Sequence, residues 1–196
     1  MATNLKMTRA IFLDRDGTII EEKHYLHRVE EVVIFPGAGR ALAQLGRAGY
    51  RLFMVSNQSG VARGYHSCED VEKVNSQLKV LLEAEGVRVD GFYYCPHHGK
   101  KGRVPEFTQD CRCRKPSPGM AEQAAFECGL DLRRSVVVGD SLVDVGLGRV
   151  IGARSILVRT GYGAGLVQER RVQLERNGVE IADDLRSAVR LISHRH

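Results

Sequence analysis

A chain of 196 residues, 43% apolar and 27% charged, is long enough to bury a sizeable core and is expected to form one domain over residues 1–196. That composition excludes an intrinsically disordered chain. The formal net charge of +5 reads either as an arginine-rich surface or as suited to anionic partners such as phosphate esters, and no lysine-rich block and no basic stripe interleaved with aromatics points to nucleic acid.

In chain order, Met1 to Met7 are polar and expected to fray, with nothing resembling a signal peptide. "AIFL" (10–13) reads as a strand and runs into Asp14 and Asp16, on either side of Arg15, with Gly17 and Thr18 following. "AGRALAQLGRAG" reads as a helix, with Leu42 and Leu45 on one face and Gly49 as its stop. "RLFMVS" (51–56) is a second strand. Ser67 and Asp70 have capping-box spacing, and Val71, Val74, Leu78 and Leu81 continue with helical spacing up to Gly86. "GFYY" (91–94) is a short strand. A loop rich in Gly, Cys and His then runs from Cys95 to about Pro118. Beyond it, "MAEQAAFECG" reads as a helix, "SVVVG" (135–139) as a strand, and "SLVDVGLGRV" as a helix with an apolar face. "SILV" (155–158) is a further strand, "LRSAVRLI" a closing helix, and "SHRH" a solvated tail. No apolar run approaches the roughly 20 residues of a membrane span, so the chain reads as cytoplasmic and without a membrane partner. It is expected to act as a monomer.

Strands alternating with helices predict an α/β fold, a parallel sheet with helices on both faces. Ligands of such sheets bind at the carboxyl ends of the strands. Three polar clusters fall there: Asp14 to Thr18, Ser56-Asn57-Gln58, and Gly139-Asp140. Asp14, Asp16 and Asp140 brought together would raise one another's pKa unless a cation offset them, and Mg2+ suits a few carboxylates plus a phosphate. Arg114 or Lys115 can add a fixed positive charge, and Ser56 a hydroxyl donor. This set supports phosphoryl transfer to an aspartate, with a second carboxylate moving the proton.

"FLDRDGT", "VSNQSG", "RKPSPG" and "GDSLVD" resemble, in order, the four motifs of the haloacid dehalogenase (HAD) phosphatase superfamily, over about residues 8–160. The resemblance implies a HAD-like, Rossmann-like sheet without a large cap domain. It implies Asp14 as nucleophile and Mg2+ ligand, and Asp16 as acid/base with its backbone carbonyl on Mg2+. Ser56 and Lys115 would hold the phosphate, and Asp140 would be a Mg2+ ligand. Asp144 either supports the metal shell or is an exposed residue in the first turn of a helix.

Five cysteines in a cytosolic-looking chain argue against a disulfide framework. Cys95, His97, Cys111 and Cys113 could form a closed Cys3His site for structural Zn2+, with His98 as a substitute for His97. Free thiols are the other reading; Cys68 and Cys128 sit in helical patterns as small apolar residues. An inserted zinc loop of this form, "YYCPHH" with "CRCRKPSPGM", together with "NQSGVARG" and "LVRTGYG", is similar to the heptose bisphosphate phosphatase branch and to the histidinol-phosphate phosphatases. The branch acts on a small-molecule sugar bisphosphate on the route to lipopolysaccharide or S-layer heptose. By this resemblance Arg15, Glu22, Lys23, His24, Tyr25, Ser56, Asn57, Gln58, Ser59, Arg114 and Lys115 would line the substrate, Arg114 gripping the distal phosphate or sugar. "EKHY" agrees with the branch only at its tyrosine, and Ser141 stands where branch members often carry a lysine. A receiver-type signalling module shares the sheet, Mg2+, acceptor aspartate and lysine, but has no use for Asp16 or the cysteine loop.

Overall fold

The computed structural model describes residues 8–194, so the expectations for Met1–Met7 and for the last two residues of the tail lie outside it. Six strands form one parallel sheet in the order β3-β2-β1-β4-β5-β6. They are β1 Ala10–Leu13, β2 Arg51–Asn57, β3 Gly91–Cys95, β4 Val136–Gly139, β5 Arg154–Val158 and β6 Glu180–Ala182. The helices are α1 Ala38–Arg47, α2 Cys68–Ala84, α3 Gly119–Cys128, α4 Leu142–Ile151, α5 Gly163–Arg176 and α6 Leu185–Ser193.

β1 reads as an unbroken apolar run because both of its faces are covered. Ile11 and Leu13 pack with side chains of α1, α2 and α6, whereas Ala10 and Phe12 pack with those of α3 and α4. The apolar face of α4 meets this core through Leu147 and Ile151. The expected capping box of α2 is formed: Ser67 Oγ accepts from Asp70 N at 3.1 Å, and Asp70 accepts from Ser67 N at 2.9 Å.

Two elements went unread in the sequence. α5 buries only Gly163, Val167 and Leu174 and departs from helical geometry at Arg170, so its periodicity is faint. β6 has three residues, too few to show alternation.

The strand order positions the site. The chain steps outward from β1 to β3, then returns to lay β4 on the other side of β1. At such a reversal the loops leaving the two central strands diverge and open a crevice at their carboxyl ends. Asp14 follows β1 and Asp140 follows β4, and Asp14 N donates to Val138 O at 2.9 Å.

Candidate active site

Lys115 lies at the floor of that crevice and is 1% exposed. Its Nζ stands 2.9 Å from Asp14 Oδ1 and 2.6 Å from Asp144 Oδ1. Burial alone would lower the pKa of this ammonium, but Asp14 and Asp144 together outweigh it and hold the group above its ordinary range. The amide of Asn57 clasps the backbone here: Nδ2 donates to Lys115 O at 3.1 Å and Oδ1 accepts from Lys115 N at 3.0 Å. The loop after β2 is thereby tied to the loop before α3.

Asp144 stands in the first turn of α4, but it is buried, not exposed. Its Oδ2 accepts from Ser141 N at 3.2 Å while Oδ1 takes Lys115, so one side chain caps the helix and pairs the lysine.

Asp14, Asp140 and Asp144 each offer an oxygen within 4.8 Å of the others. Burial pushes the Asp14 carboxyl well above the usual carboxylate range; Asp144, Asp140 and Asp16 push the same way and Lys115 opposes them. Burial likewise lifts Asp140 to about 7, against the backbone N–H of Tyr162, which donates to its Oδ2 at 2.8 Å. Three close carboxylates facing one lysine are short of positive charge, and an all-oxygen donor set of this kind fits a hard divalent cation such as Mg2+.

Gly17 has φ +73°, and a Cβ there would run into Asp140 Oδ2 and come within 3.1 Å of Gly161 Cα. The glycine of "DGT" is thus required by the approach of the Asp140 carboxylate and of the loop after β5. Thr160 of that loop donates through Oγ1 to Gly17 O at 2.6 Å.

A cavity of about 290 Å³ opens above these groups. Of the residues expected to form the site, Asp14, Asp16, Glu22, His24, Tyr25, Ser56, Asn57, Gln58, Ser59, Arg114, Lys115 and Asp140 line it. Two expectations need correction. Arg15 is not on the cavity wall: it is 1% exposed, and its guanidinium is directed to Asp16 and α2. Lys23 is also off the wall, standing 3.7 Å from Glu21. Glu22 is pushed upward by burial and by Asp16, and accepts from His24 N at 2.6 Å.

The sequence reading missed Leu26, Ser141, Val143 and Tyr162 as lining residues. Tyr162 follows β5, so the rule that ligands gather at strand ends could have found it. Leu26 could not be found that way, because it depends on successive non-glycine residues in left-handed geometry, His24 (φ 48°) and Tyr25 (φ 68°). His24 Nδ1 then meets Tyr162 Oη at 3.2 Å.

Beside the cavity, Cys95, His97, Cys111 and Cys113 bring their donor atoms within 4.8 Å of one another, with five of the six pairs at 3.2 to 3.7 Å. A tetrahedron with metal–sulfur bonds of about 2.3 Å has edges of about 3.8 Å, so the set is sized for a Zn2+ ion. All four belong to no disulfide or are histidine, and burial pushes the Cys95 thiol upward, a proton that a metal would displace. His97, not His98, faces the sulfurs; His98 Nδ1 accepts from Lys100 N and Lys101 N, each at 3.3 Å.

Parallel sheet, carboxylate trio and buried lysine together define a hydrolase of the HAD type, and the HAD-hydrolase-like family model matches residues 112–188. The D-glycero-beta-D-manno-heptose-1,7-bisphosphate 7-phosphatase of Pasteurella multocida is 44% identical over 159 residues, 79% of this chain and 84% of that protein. The D-glycero-D-manno-heptose-1,7-bisphosphate 7-phosphatase of Thermosynechococcus vestitus is 40% identical over 186 residues, covering 93% and 94%. Among solved structures, the D,D-heptose 1,7-bisphosphate phosphatase from B. bronchiseptica, complexed with magnesium and phosphate, superposes with a TM-score of 0.79 at 29% identity, covering 96% of this chain and 99% of that one. The chain belongs to the phosphatases of the HAD-like hydrolase family.

The raised Asp140 gives a pH signature. Its folded pKa near 7 exceeds the ordinary 3.8, so the folded state binds the extra proton and stability falls as pH rises between those values. In EDTA, Tm should fall more steeply from about pH 4 to about pH 7 for the wild type than for Asp140→Asn. Adding Mg2+ at neutral pH should raise Tm of the wild type and leave the variant nearly unmoved, which differential scanning calorimetry can check.

Proposed function

We propose that this chain is a Mg2+-dependent phosphomonoesterase that removes the C7 phosphate of D-glycero-D-manno-heptose 1,7-bisphosphate, leaving heptose 1-phosphate for lipopolysaccharide core or related heptose biosynthesis in the cytoplasm. One observation carries this reading: the Asp14 carboxylate, 2.9 Å from a buried ammonium, faces a cavity of monosaccharide size in a chain whose relatives bear that name.

Lys115 supplies charge to the phosphate oxygens. Ser56 Oγ accepts from Gln58 Nε2, which leaves its own proton to donate to the phosphate. Asp14 attacks phosphorus, the bond to the sugar oxygen breaks, and Asp16 gives that oxygen a proton. Water then attacks phosphorus, Asp16 takes its proton, and the bond to Asp14 breaks to release phosphate. Asp14, Asp140 and the Asp16 backbone carbonyl, with Asp144 in support, would hold Mg2+, which would supply charge neutralisation at the transferred group.

Cys95, His97, Cys111 and Cys113 would hold Zn2+ in a closed, structural site. Arg114 directly follows Cys113, lines the cavity and donates to His97 O at 3.1 Å, so the metal loop aims the cation proposed to meet the distal phosphate. Cys111→Ser should lose the zinc found by metal analysis and lower Tm. It should also raise KM for the bisphosphate more than it lowers kcat.

The direct test is phosphate release from both anomers of heptose 1,7-bisphosphate beside histidinol phosphate, with Mg2+ and with EDTA. Turnover of a heptose anomer should exceed that of histidinol phosphate, stop in EDTA, and fall by about 10³-fold or more in Asp14→Asn. Preference for histidinol phosphate would overturn the substrate, and no turnover of any ester would overturn the enzyme.

A further inference from the structure

Arg15 is the largest fully buried side chain among the described residues, and it is charged. A buried guanidinium is costly unless its donors are met. Nε donates to Asp16 Oδ2 at 3.0 Å and Nη2 to Asp16 Oδ1 at 3.2 Å, a fork onto both carboxylate oxygens. Nη1 turns the other way and donates at 2.9 Å to Oδ1 of Asn75, in the middle of α2. Gln58 Nε2 reaches Asp16 Oδ2 from the cavity side at 2.8 Å.

Asn75 sits one position past the buried Val74 and three before the buried Leu78, so α2 is anchored to the sheet on both sides of it. An asparagine in a helix interior disfavours the helix relative to alanine, so its place there calls for a contact that repays it. A guanidinium is rigid and planar; fixing Nη1 therefore fixes where Nε and Nη2 point.

We propose that Asn75 and Arg15 are positioning residues for proton transfer. Asn75, on α2, aims the Arg15 guanidinium, and Arg15 holds the Asp16 carboxylate in the orientation from which it serves the leaving oxygen. This rests on the acid/base role given to Asp16 above and extends the reaction's machinery to two side chains outside the cavity.

The test compares two leaving groups in Asn75→Ala. One substrate is p-nitrophenyl phosphate, whose phenolate departs without a proton. The other is a primary alkyl phosphate, heptose 1,7-bisphosphate or histidinol phosphate, whichever the wild type hydrolyses faster. The quantity is kcat/KM, which covers steps only through departure of the first leaving group. We expect the alkyl value to fall roughly 10- to 100-fold, part of the 10²–10⁴ that a general acid supplies, and the aryl value to stay within about twofold. The ratio of the two is independent of how much protein is folded, so lost stability cannot imitate the result. Asn75→Asp keeps an acceptor for Nη1 and should recover most of the alkyl value. Parallel loss on both substrates, no loss on either, or no recovery in Asn75→Asp would overturn the proposal. A wild type that hydrolyses neither alkyl ester would overturn the function itself.

Discussion

The ion pair on which the site depends is that between the Lys115 ammonium and the carboxylates of Asp14 and Asp144. Removing an ammonium from water costs several kcal/mol unless opposite charges close around it, so Lys115 stays buried and charged only if both aspartates are in place. Each aspartate is delivered by a different strand end: Asp14 by β1 and Asp144 by the helix that follows β4. Strand order, the capping of α4 and the Asn57 clasp all serve this contact. Because Asp140 adds a third carboxylate without a second lysine, the cluster is left with a charge deficit that the proposed divalent cation would make good.

The cysteine loop enters the same account through chain connectivity. Cys111, Cys113, Arg114 and Lys115 fall within five residues, so anything that fixes the sulfurs fixes the cation lining the cavity and the one at its floor. The segment between β3 and α3 contains only a short 3-10 turn, Pro105–Phe107, and little apolar side chain to bury. The proposed zinc would give such a loop the order that a core cannot.

Much of this was legible in the sequence because the physics was local. The apolar runs of β1, β2 and β4 can be read as strands covered on both faces, and "S-x-x-D" before α2 marks its start. The four motifs fall where a parallel sheet gathers its strand ends. What was not legible depends on long-range contact. Arg15 lies between two cavity aspartates in the chain, and only the position of Asn75 on α2 shows that its side chain turns away from the cavity. Asp144 could be an exposed first-turn residue or a buried partner, and the packing of α4 beside Lys115 decides it. The choice between His97 and His98 likewise needed the path of the loop.

If Asp14 attacks phosphorus as proposed, its carboxylate carries the phosphoryl group during turnover. The most direct measurement is to quench the enzyme in acid during turnover of a sugar phosphate, reduce it with borohydride, and map the peptides by mass spectrometry. A phosphoryl group on the Asp14 carboxylate predicts homoserine at position 14, and none in protein quenched without substrate. Reduction at another residue, or none during demonstrated turnover, would mean that Asp14 is not the nucleophile.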